Sequence, residues 1–206
     1  MRARQCRIRQ HPLHALLLQD PFTARCVSKP RGYAGDAGLI DIIYDEAAPD
    51  YPSAIGHDIF NITVKFQAPE GVRRRRRYAE TVVRQAWLGG KRICVLACGH
   101  FREADALIGS DLSNITLVDQ DALSLEVVRR NHADRVSIVE ANVFSFLRNA
   151  ASSGARFDLI YTLGLTDYLD ARAMRLLHRL VKDSHAVVNN LRGSLPAKLG
   201  LDYAAL

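Results

Sequence analysis

The sequence has no apolar run approaching the ~18 residues that a membrane-crossing helix needs, so no transmembrane span is expected. A secretory leader is not expected either. Residues 1–10 carry positive charge, but the apolar stretch 13–18 is short and runs into Asp20 and Pro21 instead of a small-residue cleavage site. Cysteine is sparse. Cys6, Cys26, Cys94 and Cys98 lack metal-ligand spacing, and the last two lie in an apolar segment where a free thiol behaves as a small hydrophobe. A reducing cytoplasm is the expected compartment. No His/Cys/Asp/Glu grouping suggests a metal, and His57 and His132 read as surface residues. Internal repeats and low-complexity tracts are absent, apart from five consecutive arginines at 73–77.

What is present suits one α/β core. The 206 residues are 48% hydrophobic and 24% charged, enough apolar content to bury a full domain and too little charge for disorder. The net charge of +6 comes from arginine, since only five of the 28 basic residues are lysine. Such lopsided use is as easily a coding-composition effect as a phosphate-binding surface. The arginine block has no interleaved aromatic beyond Tyr78, so it reads as a solvated or anion-facing helix start, and nucleic acid is not the expected partner.

Two regions follow from the pattern. Residues 1–71 are broken by prolines at 12, 21, 30, 49, 52 and 69, and predict short helices such as 13–19 and 37–44 in a lid-like, substrate-side segment. From Val72 onward the pattern is regular. A helix runs to about 88 and stops at Gly89 and Gly90. Strands at 92–98, 115–119, 136–140, 157–162 and 186–190 then alternate with helices at 101–109, 123–131, 143–151 and 171–182. Alternation at this spacing predicts βαβ units and a Rossmann-like, mostly parallel sheet over 72–206.

The most informative segment is 92–103, a buried strand that turns at Gly99 into a helix, followed about 20 residues on by Asp119 at the tip of the next strand. That is the layout of a nucleotide site. The turn brings backbone N–H groups close to a ligand, and the carboxylate can accept hydrogen bonds from two ribose hydroxyls. The dinucleotide signature Gly-x-Gly-x-x-Gly is missing, with His100 and Glu103 where a pyrophosphate binder would want glycine. A nucleoside without phosphates, S-adenosylmethionine (SAM), fits better.

Four strings carry a further likeness: Lys-Pro-Arg-Gly-Tyr-Ala-Gly-Asp at 29–36, Ala-Cys-Gly-His-Phe-Arg-Glu at 97–103, Val-Asp-Gln-Asp at 118–121, and Ile-Tyr-Thr-Leu-Gly-Leu-Thr-Asp-Tyr-Leu at 160–169. Together they resemble a group of bacterial class I SAM-dependent methyltransferases that includes enzymes making the methyl ester of 3-hydroxypalmitic acid. The resemblance runs from about His11 to Asn190. It implies that Ala97, Gly99 and His100 line the methionine end of SAM, that Asp119 holds the ribose, and that Asn142 contacts adenine. Gln120 and Val143, beside Asp119 and Asn142, join the cofactor-binding candidates, and Gly164 and Tyr168 would flank the reacting methyl group. Relatives carry more helical sequence before His11 and a closing strand hairpin after the fifth strand. The expectation is therefore a shortened sheet whose open edge is covered by a partner chain, a second copy among them, or by the tail folding back, or else a shortened gene product.

Several residues keep two readings. Asp121 is a second ribose ligand or a helix N-cap. His100 is a general base or a shape-filling residue. Arg102 and Glu103 form a first-turn pair. Tyr33 and Asp36 lie in a glycine-punctuated loop that either closes over a ligand or is a structural turn with Asp36 as a cap. A sulfonium methyl is already electrophilic, so catalysis needs mainly positioning and exclusion of water. A carboxylate acceptor needs no base, whereas a hydroxyl acceptor would draw on His100, Asp36 or Asp167. Arg31 or the arginine block could pair with an acidic substrate. The expected function is SAM-dependent methylation of a small, acidic acceptor, O-directed. The alternatives are a SAM-consuming cyclase on the same site and a degenerate, non-catalytic SAM-binding or interaction module.

Overall fold

The computed structural model describes residues 9–107 and 110–169. The expected helix 171–182, the fifth strand 186–190 and the open edge beyond it lie outside the described residues. The chain divides into two compact units, one of residues 1–85 with 99–109 and the other of 86–98 with 110–206. The division falls inside a long helix, and the segment after Cys98 groups with the N-terminal residues.

The first unit is helical. Its helices are α1 (Pro12–Leu17), α2 (Pro21–Ser28), α3 (Ala37–Asp45), α4 (Ala54–Thr63) and α5 (Gln67–Leu88), the last continuing into the second unit. The prolines that punctuate the sequence open helices here. Pro12 and Pro21 occupy first-turn positions, where the missing N–H costs nothing. Asp20, fully buried, caps α2 by accepting from the N–H groups of Phe22 and Thr23 and from the hydroxyls of Thr23 and Thr63. Ile42, Phe60 and Val64 form a core against Phe22, Ala48 and Tyr51. Helices α2 and α4 are further short helices of the kind expected in this region, at positions the sequence pattern did not mark.

The second unit is mixed α/β. Among the described residues four strands, β1 (Ile93–Leu96), β2 (Ile115–Asp119), β3 (Ser137–Glu140) and β4 (Leu159–Tyr161), form an all-parallel sheet in the order β3-β2-β1-β4. Helices α6 (Ala122–His132) and α7 (Val143–Ser152) pack against it. β1 is buried at every position and β2 at four of five, which is why both read as near-continuous apolar runs. Cys94, Leu96, Val118 and Val143 centre its core, and burial pushes the Cys94 thiol up to about 12, so it stays protonated packing. His132 is also buried, not on the surface as expected. The architecture is compatible with a Rossmann-like fold. No helix among the described residues is long and apolar enough to cross a membrane.

Candidate functional site

In a parallel sheet all strands exit at one edge. Here that edge collects Ala97 after β1, Asp119 ending β2, Gln120, Asn142 and Val143 after β3, and Gly164 after β4. The chain order reverses at β1, whose neighbours are β2 on one side and β4 on the other, and ligands of open α/β sheets bind outside the strand ends at such a reversal. Asp119 is 8% exposed, and its Oδ1 accepts the backbone N–H of Asp121 at 2.9 Å, which fixes the carboxylate at the tip. Asn142 Nδ2 donates to Gln120 Oε1 at 3.2 Å across the ends of β2 and β3. Its own Oδ1 accepts from Phe144 N–H and caps α7. Asp121 serves as a cap, accepting from Leu123 N–H and the Ser124 hydroxyl. Gly164 has a φ of 101°, a left-handed value suited to glycine, and Tyr168 in the short 3-10 helix that follows is exposed. The side chain of Asp167 lies outside the described residues. Sequence reading passed over Thr162, whose buried hydroxyl at the exit of β4 has no hydrogen-bond partner.

After β1 the backbone takes left-handed angles at alternate residues: Ala97 (53°), Gly99 (55°) and Phe101 (53°). For Ala97 and Phe101 this conformation costs about 1–2 kcal/mol each. Strain of this kind persists only where the surroundings over-determine it, and it concentrates at functional turns. A helix was expected at 101–109. The left-handed Phe101 stands where that helix would begin, and a 3-10 helix, Arg102–Leu107, forms instead.

Within the first unit His100 and Arg102 meet the acidic face of α3. His100 Nδ1 lies 2.6 Å from Asp41 Oδ2, and Arg102 Nη1 donates to Asp41 Oδ1 at 3.0 Å. Arg102 also reaches Asp45 at 2.6 Å and Asp105 at 2.8 Å, and Arg76 of α5 joins at Asp105. Burial pushes the Asp41 carboxyl up, but the hydrogen bond and charge of His100, together with Arg102, outweigh it and hold the group below the usual carboxylate range. The hydrogen bond that Arg102 donates to Asp45, with the pull of Asp105 and Asp41, raises the Arg102 guanidinium above its ordinary value against burial. Neither Asp41 nor Asp45 was picked out from the sequence. Their i,i+4 spacing, which puts both carboxylates on one helix face, was the available signal.

Tyr33 is half-buried between α2 and α3. Asp36, 1% exposed, is the N-cap of α3, taking Leu39 N–H at 2.8 Å and a bidentate Arg25 at 2.8 and 3.0 Å. Its oxygens are occupied, so of its two readings the geometry is that of the cap. The 29–36 loop turns through left-handed Lys29 and Gly32, and not through Gly35.

Comparisons of the chain with protein-family models, curated proteins and solved structures found no match. The functional reading therefore stands on geometry and chemistry. Among the described residues no group of three or more His, Cys, Asp or Glu is arranged to hold a metal ion.

The arginine block spends its charge inside the first unit. Arg73 donates to the carbonyls of Ile43 and Val64 and pairs with Glu46 and Glu70. Arg76 pairs with Glu80 and lies over the Tyr44 ring. Glu70 takes hydrogen bonds from Arg74, Arg73 and Arg77, which hold its carboxyl at about 2. A carboxyl held below its unfolded value stabilises the fold above the ordinary carboxylate range, and this contribution disappears as the pH falls towards about 2. Glu70→Gln is therefore expected to lower the thermal midpoint slightly at pH 7 and not at pH 2. Because these arginines are partly exposed, the difference at pH 7 should also shrink in high salt. Calorimetric scans of both proteins across pH and salt check both points.

Proposed function

We propose that the protein is a SAM-dependent methyltransferase of the class I, Rossmann-like type, acting on a small molecule. One observation carries this reading: a fixed carboxylate, Asp119, at the tip of the strand next to β1, on the edge of a parallel sheet where the strand order reverses. A carboxylate accepts two hydroxyls, which is what a ribose offers. The linked amides of Gln120 and Asn142 supply donors and acceptors suited to a base edge. The orphaned Thr162 hydroxyl is a further buried polar group without a protein partner, as expected where a ligand completes the set. The chain has no glycine-rich phosphate cradle, in keeping with a nucleoside ligand.

When bound, SAM would supply an electrophilic methyl on a sulfonium. The protein's own tasks are to hold the nucleoside through Asp119, to set the path of the chain after β1 through the turn at 97–101, and to manage the acceptor's proton. Isothermal titration of the purified protein with SAM tests the reading, paired with mass-spectrometric identification of the coproduct from incubations with an acceptor panel. The expected result is saturable SAM binding and release of S-adenosylhomocysteine. Methylthioadenosine as the coproduct would favour the cyclase, and binding without turnover the non-catalytic module. Absence of SAM binding would end the proposal.

A further inference from the structure

The arginine run at 73–77 is divided by the helix that carries it. Arg73 and Arg76 turn inward, onto the carbonyls of Ile43 and Val64 and over the Tyr44 ring, on the side of α5 that buries Pro69, Ala79 and Val83. Arg74 and Arg77 turn outward, with side chains 74% and 58% exposed. At 3.6 residues per turn the outward face continues through Tyr78, Thr81, Arg84 and Gln85, all exposed, over about 15 Å of helix from Arg74 to Arg84. Counted along the sequence, the block has no aromatic inside it. Wound into a helix, its outward members share a face with Tyr78, whose ring is 62% exposed.

This face stays positive after its ion pairs are counted. Arg73, Arg74 and Arg77 converge on the single carboxylate of Glu70. Glu80, the other acid between Gln67 and Gln85, is held by Arg76 on the inward side. Arg84 enters no ion pair among the described residues. The Thr81 hydroxyl is turned back onto the Arg77 carbonyl and adds no free donor. Three guanidiniums, the Gln85 amide and the Tyr78 phenol remain, and every one of them can donate a hydrogen bond.

We propose that this face of α5 binds single-stranded nucleic acid, with Arg74, Arg77 and Arg84 on the phosphodiester backbone and Tyr78 stacked on a base. The surface belongs to the helical unit alone, and the proposal is independent of the methyltransferase reading. Guanidinium forks match phosphate oxygens. Stacking on an exposed ring requires bases that are free of a duplex, which selects single strands. A protein partner would need an apolar, charge-depleted centre and a lipid surface would need apolar side chains to insert, whereas the face has no aliphatic residue between Arg74 and Gln85. Contacts to backbone and ring faces carry no base code, so binding is insensitive to sequence.

Fluorescence anisotropy of a short labelled oligothymidylate and the matching oligouridylate, titrated with the intact protein, tests this and separates DNA from RNA as the source of the same chemistry. Saturable binding of either strand is expected, with a dissociation constant of about 1–100 μM at physiological salt. For three neutralised phosphates the logarithm of affinity should fall against that of salt with a slope of about −2, a roughly 20-fold loss between 50 and 200 mM. Arg77→Gln and Arg84→Gln should each flatten that slope by about 0.7, the share of one phosphate contact. Arg130→Gln, which removes the same charge from an exposed site in the second unit, should leave it unchanged. Tyr78→Ala should weaken single-strand binding about tenfold, as loss of one stacked base does, and should not alter the weaker binding of a duplex. Arg84 has no ion pair to lose, so its variant is read without a change in folding, which circular dichroism checks. Absent binding at 50 mM salt, a slope unaltered in the Arg77→Gln/Arg84→Gln double variant, duplex bound as tightly as single strands, or polyglutamate competing as well as the oligonucleotides would each overturn the proposal.

Discussion

Asp119→Ala is expected to weaken SAM binding by about 1.5–3 kcal/mol, the range for losing hydrogen bonds to a charged group, with little change in the fold. The argument rests on where the carboxylate sits. Asp119 ends β2 after the buried apolar positions of the strand, and its side chain accepts the local N–H of Asp121. The strand's own ladder does not use that side chain. It continues through backbone groups, with Ala141 N–H donating to Asp119 O and Cys98 N–H to Val118 O, and both bonds survive the substitution. Asp119→Asn separates charge from shape, since it keeps one acceptor and loses the charge. Titration calorimetry of the three proteins, with circular dichroism as the check on folding, reads the effect. Unchanged SAM affinity in Asp119→Ala would remove the ribose assignment.

Gly56→Ala is expected to destabilise the helical unit by about 3 kcal/mol or more, at or beyond the upper end of ordinary overpacking. A Cβ at Gly56 would overlap the carbonyl oxygen of Gln19 and lie 2.8 Å from its carbonyl carbon, and both are backbone atoms that no rotamer change can move. The approach is held from both sides. Ser53 caps α4 through Gly56 N–H at 3.0 Å while its hydroxyl donates to the Gln19 side chain at 2.5 Å. Separating the two segments to admit a methyl group therefore breaks the Ser53–Gln19 hydrogen bond as well. Gly32→Ala is the contrasting variant: a Cβ there meets nothing within 4 Å, so its cost is conformational only, arising from a φ of 88°. Denaturant titrations should place Gly56→Ala well below Gly32→Ala in stability, and equal losses would mean that the Gln19–Gly56 contact yields easily.

The sheet was legible because its strands are short and apolar and end at recognisable turns. β2 falls on the expected residues, and the other described strands fall within theirs. The helical unit was less so. Helices α2 and α4 are brief, and their starts, Asp20-Pro21 and Ser53, look like turns until their capping bonds are seen. His132 could have been read correctly, since Leu125, Val128 and His132 share one face of α6 at i, i+3 and i+7 and all three are buried. The Asp41–His100 pair could not. Its members are 59 residues apart, and neither residue alone distinguishes a base from packing.

The grouping of 99–109 with the N-terminal residues means that the chain passes from one unit to the other three times. No single cut separates them. A fragment beginning at Ala86 would carry His100 and Arg102 but leave Asp41 and Asp45 behind, stripping a partly buried guanidinium and an imidazole of the carboxylates that match them. A fragment ending at Gln85 would retain those two carboxylates without either partner. The protein is thus poorly suited to dissection by truncation or gene splitting, and its two halves are best probed by point substitutions in the intact chain.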